Sequence, residues 1–397
     1  MIQRTIVSMS AVGLTILACA CGGDGDDGEG GGSNTGGGGG SSSSGTTGTT
    51  GTTTGNGTGD VCNVAARNLP ISDAPGSQPS LVWAGDRYAL AWTDRANAEG
   101  NIHLALVGSD GAVQKHIEIT TGPEDSSHPT VTAAGDGLLV LWQDTEGTGS
   151  IVRAQRVGMD GTLMGNVLNL GQSTAAESWP VSATTGSGAA IAWMDQTSSR
   201  LTFTDATGSV SSAVTLPGAR FPGLTTDGAQ IGIGWSEGSK VGFGRPDTNG
   251  VMTPVHHDGV TAAATRVALG DDASYLIWED SRGGSGSEQI YAARIASDGA
   301  LGEEVIVPSI GGSANWPSAV WTGSHLAVTY YQFRDGPSSV FLELFADDLT
   351  PSRIDLVVSG DAAARFPSLA WNSTTQELAV AYAEREGNIY LSTITCP

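Results

Sequence analysis

Four near-identical segments, "AWTD", "LWQD", "AWMD" and "IWED", place Asp94, Asp144, Asp195 and Asp280 two positions after Trp92, Trp142, Trp193 and Trp278. Glu237 and Glu384 follow Trp235 and Tyr382 at the same spacing. Carboxylates in pairs can act as general acid and base, but the separation that decides their role is three-dimensional, and no linear spacing singles out one pair here. Arginines stand close to several acids, at Arg95, Arg282, Arg334 and Arg385. A ring precedes five of the prolines, at His128, Trp179, Phe221, Trp316 and Phe366, with Arg220 and Arg365 next to two of them. Aromatic faces interleaved with charges suit a ligand with a flat apolar side and a hydrogen-bonding edge, such as a sugar ring or a peptide.

Other catalytic patterns are weaker. "GWSEG" (Gly234–Gly238) has the Gly-x-Ser-x-Gly form of a hydrolase nucleophile elbow, which requires a strand turning into a helix; no helical period follows, and its tryptophan belongs to the repeat described next. "VHHDG" offers His256, His257 and Asp258, yet adjacent side chains on a strand point to opposite faces, so the two imidazoles do not converge on one metal. Acidic turns at Asp271-Asp272 and from Asp247 in "DTNG" leave structural calcium open without further support. No other cofactor is expected.

The elements that must position these residues repeat. Pro79, Pro129, Pro180, Pro222 and Pro317 each precede an aromatic anchor by 13 residues, at Trp92, Trp142, Trp193, Trp235 and Tyr330. Thr265 stands 13 before Trp278 without a proline, and Pro367 stands 15 before Tyr382. Each unit reads as a short apolar strand after the proline, a turn, a continuous apolar strand ending at the anchor, a third strand, a turn and a fourth strand. Unbroken apolar runs belong to strands buried on both faces, and the Asp-Gly pairs at 110, 160 and 298 are hairpin signals. Seven such units make an all-β chain, a seven-bladed β-propeller of four-stranded antiparallel blades.

The last unit, from Phe366, has only three strands, whereas an orphan strand near 64–71 precedes the first complete unit. The ends therefore share one blade. Cys62 and Cys396 fall where that blade lacks its hairpin turn, so a disulfide between them replaces it, closing a loop whose entropy is worth about 4 to 5 kcal/mol.

Ahead of this domain (61–397), residues 1–18 combine Arg4 with an apolar run too short to span a bilayer and read as a signal peptide. Residues 19–60 are nearly all Gly, Ser, Thr, Asp and Asn and read as a disordered tether with a root-mean-square span of roughly 35 Å. The sequence "ILAC" resembles the lipobox of bacterial lipoproteins, which implies lipidation at Cys19 in preference to Cys21. The chain carries 18 Lys and Arg against 41 Asp and Glu, for a net charge of -23, so nucleic acid is excluded as a partner.

The "PSLVW…YALAWTD" repeats resemble those of secreted bacterial β-propeller proteins, many of them lipoproteins of unassigned function with a glycine-rich linker. That resemblance covers 61–397 and implies fold and export; it assigns no activity. Sialidases, which are also propellers, carry Ser-x-Asp-x-Gly-x-x-Trp turns that are missing here. The expected function is a monomeric binding module, lipid-anchored at the bacterial outer membrane or cell surface, that recognises an envelope protein or glycan. Its candidate ligand residues are Arg282, Arg334, Arg385, Asp280, Glu384, Trp179, Trp316 and Phe366. A glycan hydrolase or lyase using carboxylates of the same face, and an envelope scaffold, are the alternatives.

Overall fold

A computed structural model describes residues 62–96, 99–247, 249–284, 286–307, 312–334, 336–360, 362–384 and 387–396. The expected signal peptide, Cys19, the tether and Arg385 lie outside the described residues. Seven four-stranded antiparallel sheets account for all the strands described. Blades 1 to 6 span residues 76–118, 126–173, 181–217, 220–258, 262–306 and 313–357. Blade 7 takes its three inner strands from 364–395 and its outermost strand, Asn63–Pro70, from the start of the domain. Each innermost strand packs against the innermost strands of both neighbours, from blade 1 round to blade 7 and back. The sheets therefore form a closed ring.

Packing follows from this ring. The apolar core consists of seven layers, one between each pair of adjacent blades. In the second strand of blade 1, Tyr88, Leu90 and Trp92 enter the layer shared with blade 7, while Ala89 and Ala91 enter the layer shared with blade 2. A strand with core on both faces has no polar side to show, which explains its continuous apolar run. The anchors Trp92, Trp142, Trp193, Trp278, Tyr330 and Tyr382 are fully buried, each facing the preceding blade.

Tight hairpins join the third and fourth strands. In blade 1 the Gly111 amide donates to the Gly108 carbonyl at 2.9 Å, Asp110 Oδ1 accepts from the Ala112 amide at 3.0 Å, and Gly111 has φ +80°. Gly161 and Gly299 repeat this with φ +78° and +85°, so glycine is required where the turn becomes left-handed.

The ring is closed at the chain ends. Asn63 pairs with Thr395 and Val64 with Ile394, and the Cys62–Cys396 disulfide bridges the pair at the point where other blades have a turn. Hydroxyls staple adjacent innermost strands along the channel. The Val131 amide donates to Ser80 Oγ (3.1 Å), Leu81 to Ser368 Oγ (2.9 Å) and Leu369 to Ser318 Oγ (3.1 Å). An innermost strand has an edge with no sheet partner, and these serines satisfy amides that the edge would otherwise orphan.

Candidate functional site

Every innermost strand is bulged near its start. Between Ser77 and Ser80 the innermost strand advances three residues while its partner advances two, and the same shift occurs in blades 2, 4, 5, 6 and 7. In blade 3 the Met194 amide bonds the Ser178 carbonyl while Val181 pairs with Ala192, giving the same offset. The repeated proline lies inside the bulge, where an interrupted ladder needs no N–H.

The residue before the proline, or before Thr265 in blade 5, has a left-handed backbone in all seven blades: Gln78 (φ 54°), His128 (51°), Trp179 (49°), Phe221 (48°), Ala264 (45°), Trp316 (58°) and Phe366 (54°). None is glycine, so each carries strain of order 1 kcal/mol. The strain is applied seven times at one end of the channel.

Four of these side chains meet on the axis. Ring centroids lie 4.0 Å apart for His128 and Trp179, 4.9 Å for Trp179 and Trp316, and 5.2 Å for Trp316 and Phe366. Blades 3 and 6 are not neighbours, so the Trp179–Trp316 contact spans the ring. Tyr331 continues the cluster beside Phe366. All these rings are partly exposed.

Polar groups fix the cluster from behind. Gln143 Oε1 accepts from the Ser178 and Trp179 amides (2.6 and 3.2 Å), and Glu279 Oε2 accepts from the Trp316 amide (2.9 Å). Burial raises the Glu279 pKa above the ordinary carboxylate range, against the opposing pull of that amide and of Arg266. These two residues stand between anchor and acid in "LWQD" and "IWED". Sequence reasoning passed over them because only the flanking residues repeat.

His128 is part of the same device. Gln78 Oε1 accepts from the His128 amide at 3.1 Å, which leaves Gln78 Nε2 to donate to His128 Nε2 at 2.8 Å. The ring proton then belongs on Nδ1, 3.2 Å from Ser127 Oγ. Burial, with Arg95 nearby, depresses the His128 pKa to about 3, so the imidazole is neutral at physiological pH. Because the folded pKa lies below the unfolded value of about 6.5, stability is complete above that pH and falls as pH drops toward 3, with a slope of at most about 1.4 kcal/mol per unit. Urea midpoints measured across that window should flatten in His128→Gln; an unchanged slope would refute the assignment.

Farther from the axis, the recurrent acids are occupied. Asp144 Oδ1 accepts from Trp142 Nε1 (2.8 Å) and Asp144 Oδ2 pairs with Arg153 (2.5 Å). Trp278 Nε1 donates to Asp280 Oδ2 at 3.0 Å, and Trp235 Nε1 to Glu237 Oε2 at 3.4 Å. Asp94 pairs with His103 (3.4 Å), Asp195 with Arg200 (3.1 Å) and Glu237 with His256 (3.4 Å). Indole, carboxylate and base thus recur as a strand-end joint in blades 2, 4 and 5, while Asp94 and Asp195 keep only the base.

The candidate residues separate into two groups. Trp179, Trp316 and Phe366 are brought together at the channel mouth. Asp280, with a side chain 0% exposed, is enclosed by Trp278 and Arg282. Arg282 also bonds both Glu304 oxygens (2.6 and 2.9 Å) and lies 4.3 Å over the Tyr291 ring. Arg334 donates to Gln332 Oε1 (2.6 Å) and Asp355 Oδ1 (2.5 Å) and lies 4.0 Å over Phe341. These arginines belong to joints between strands and do not touch the aromatic cluster. Glu384 pairs in register with Ala364, at the mouth end of blade 7, and burial raises its pKa.

Ser236 of "GWSEG" donates to the Arg220 carbonyl at 3.3 Å on a strand that ends at Glu237 and turns at Gly238 into another strand, not a helix. His256 and His257 diverge, toward Glu237 and Glu304 respectively. Asp247 Oδ1 is taken by the Asn249 and Val251 amides (2.8 and 2.9 Å).

Neither a protein-family profile nor any curated protein matches the sequence. Among solved structures, hydrazine synthase from Kuenenia stuttgartiensis superposes with a TM-score of 0.52 at 11% identity, over 81% of this chain and 96% of that one. The β-propeller domain of the trilobed protease from Pyrococcus furiosus gives 0.47 at 11% identity, over 83% and 94%. An oligogalacturonate lyase in complex with manganese gives 0.45 at 12%, over 85% and 91%. Similarity at this level is one of fold.

Proposed function

We propose that this chain is an exported, lipid-anchored binding module that takes a glycan at the mouth of its propeller channel. The observation that carries the reading is the convergence of Trp179, Trp316 and Phe366 on the axis from backbones held left-handed. Strain repeated at one ring of positions has to be stabilised by the surrounding fold, and partly exposed indoles gain stability only when something covers them. Flat rings with donors and acceptors around them suit the apolar face and hydroxyl edge of a sugar. The Cys62–Cys396 disulfide fits the oxidising compartment that export implies.

Tryptophan fluorescence titrations against envelope glycans test this directly. Trp179→Ala and Trp316→Ala should each weaken binding about 100-fold, as removal of a central aromatic anchor does. Wild-type affinity in both variants would move the site off the channel mouth. The enzymatic alternative is supported by the carboxyls of Glu177 and Glu384, whose pKa values are raised by burial at the same end. Turnover of a bound glycan, lost in Glu177→Gln or Glu384→Gln with binding retained, would establish it.

A further inference from the structure

Arg266 breaks the pattern of the inner ring. It occupies the position after the bulge where blades 1, 6 and 7 carry Ser80, Ser318 and Ser368, the hydroxyls that accept an amide from the next blade. Guanidinium has no acceptor atom and cannot replace them. Its Nη1 donates to the Thr265 carbonyl (2.8 Å), and among the described residues it has no other hydrogen bond and no carboxylate within ion-pair distance. Glu279, the acid whose charge it feels, lies beyond ion-pair distance and accepts from the Trp316 amide through Oε2.

A chain with 41 acids and 18 basic residues does not leave a half-buried arginine unpaired for want of carboxylates. The residues around it are small. Ala264, two positions earlier, presents a methyl where the other bulges present rings, imidazole or amide. In the preceding blade Gly223 lies so close that a Cβ there would sit 2.3 Å from the Thr265 carbonyl oxygen and 3.0 Å from Arg266 Cα. The aromatic cluster of blades 2, 3, 6 and 7 therefore receives no ring from blade 5, where Ala264 stands two residues before Arg266. Arg220 and Arg365, one residue before their bulges, also have no carboxylate partner among the described residues and lie 5.3 and 5.2 Å from the Phe221 and Phe333 rings.

We propose that the glycan is acidic, with a uronic-acid carboxylate paired to Arg266 while its ring lies against Trp179 and Trp316. A planar guanidinium with free N–H groups matches a carboxylate in two-point geometry, and Arg220 and Arg365 draw the anion toward the mouth of a protein that is otherwise negative. This inference rests on the glycan-binding reading above. It goes beyond that reading by naming the charge of the ligand and the residue that selects it.

Full-length protein is titrated by tryptophan fluorescence with polygalacturonate, alginate and hyaluronan oligosaccharides, methyl-esterified polygalacturonate and neutral cello-oligosaccharides. At least one uronate should bind, the ester or neutral counterpart at least about tenfold more weakly, and Arg266→Met should remove that difference. The Tm of Arg266→Met should match or exceed that of the parent, because a charge without a partner is removed from a partly dry site. A merely structural arginine would lower the Tm and leave the preference intact, and that outcome overturns the inference. Equal binding of acid and ester by the parent overturns it even where the variant does not fold. Binding of neutral glycans alone refutes the acidic ligand and spares the glycan reading; absence of binding to every glycan refutes both.

Discussion

Removal of the Cys62–Cys396 disulfide is expected to lower the unfolding free energy by about 5 kcal/mol. The bond joins residues separated by 334 positions, so reduction releases nearly the whole domain as an open chain in the unfolded state. In the folded state it closes the one blade that no hairpin closes. Asn63–Pro70 is otherwise held only by its ladder to Ile389–Thr395, which shifts register twice, and by side chains such as Arg67, whose guanidinium donates to the Val357 and Ser359 carbonyls at 3.0 Å. Opening this strand exposes the layer between blades 6 and 7, which includes Cys62 itself and Ile394. Denaturant unfolding of the parent with and without reductant, and of the Cys62→Ser, Cys396→Ser variant, measures the effect. The variant should match the reduced parent, and limited proteolysis should cut first near 70–76. A change under about 1 kcal/mol would mean that the ladder alone closes the ring.

That closure was legible in the sequence because both of its signals are linear: an incomplete last repeat and a cysteine at each end. The blades were legible for a related reason. A proline 13 residues before an anchor records a bulge and a hairpin of constant length, and Asp-Gly records the left-handed turn. The site was less legible. The seven bulged residues are Gln, His, Trp, Phe, Ala, Trp and Phe, so their shared backbone leaves no residue signature beyond the proline that follows six of them. At blade 5 even that is replaced by Thr265.

The serine staples are visible as letters in "PSLVW", "PSAVW" and "PSLAW", but each partner amide lies on the next blade, where no local pattern points. The recurrent acids were recognisable as a repeat, whereas their bases are not. His103, Arg153 and Arg200 come from third strands, His256 from a fourth strand and Arg282 from a loop. Arg266 did not stand out in the sequence because its distinction lies in having no carboxylate partner among the described residues, which only the assembled ring discloses.

Asp280→Ala is expected to cost about 3 to 5 kcal/mol, an effect of structural origin at a residue that its motif makes look catalytic. Its Oδ1 accepts from the Thr261 and Arg282 amides (3.2 and 2.8 Å), and its Oδ2 accepts from Trp278 Nε1 (3.0 Å) and from Arg282 Nε and Nη2 (2.9 and 2.6 Å). Deleting the carboxylate leaves a buried indole N–H, two amides and half of a guanidinium network without acceptors, and each orphan costs its own desolvation. Arg282→Met should cost less, since Asp280 then keeps the indole and both amides.

Burial raises the Asp280 pKa, but the hydrogen bonds from Arg282, Trp278 and Thr261 outweigh it and hold the group below the ordinary carboxylate value. A folded pKa below the unfolded value of about 3.9 means that the stabilisation is whole above that pH and disappears as pH falls through the folded value. Acid unfolding below about pH 4 should therefore be blunted in Asp280→Asn, whereas the loss between pH 6.5 and 3 that is assigned to His128 should persist. If Asp280→Ala instead unfolds at the parental midpoint and abolishes turnover of a glycan, the carboxylate is free to act on substrate and the joint described here is wrong. If stability falls with it, a loss of activity in that variant reports the blade 5 joint and carries no information about chemistry at the channel mouth.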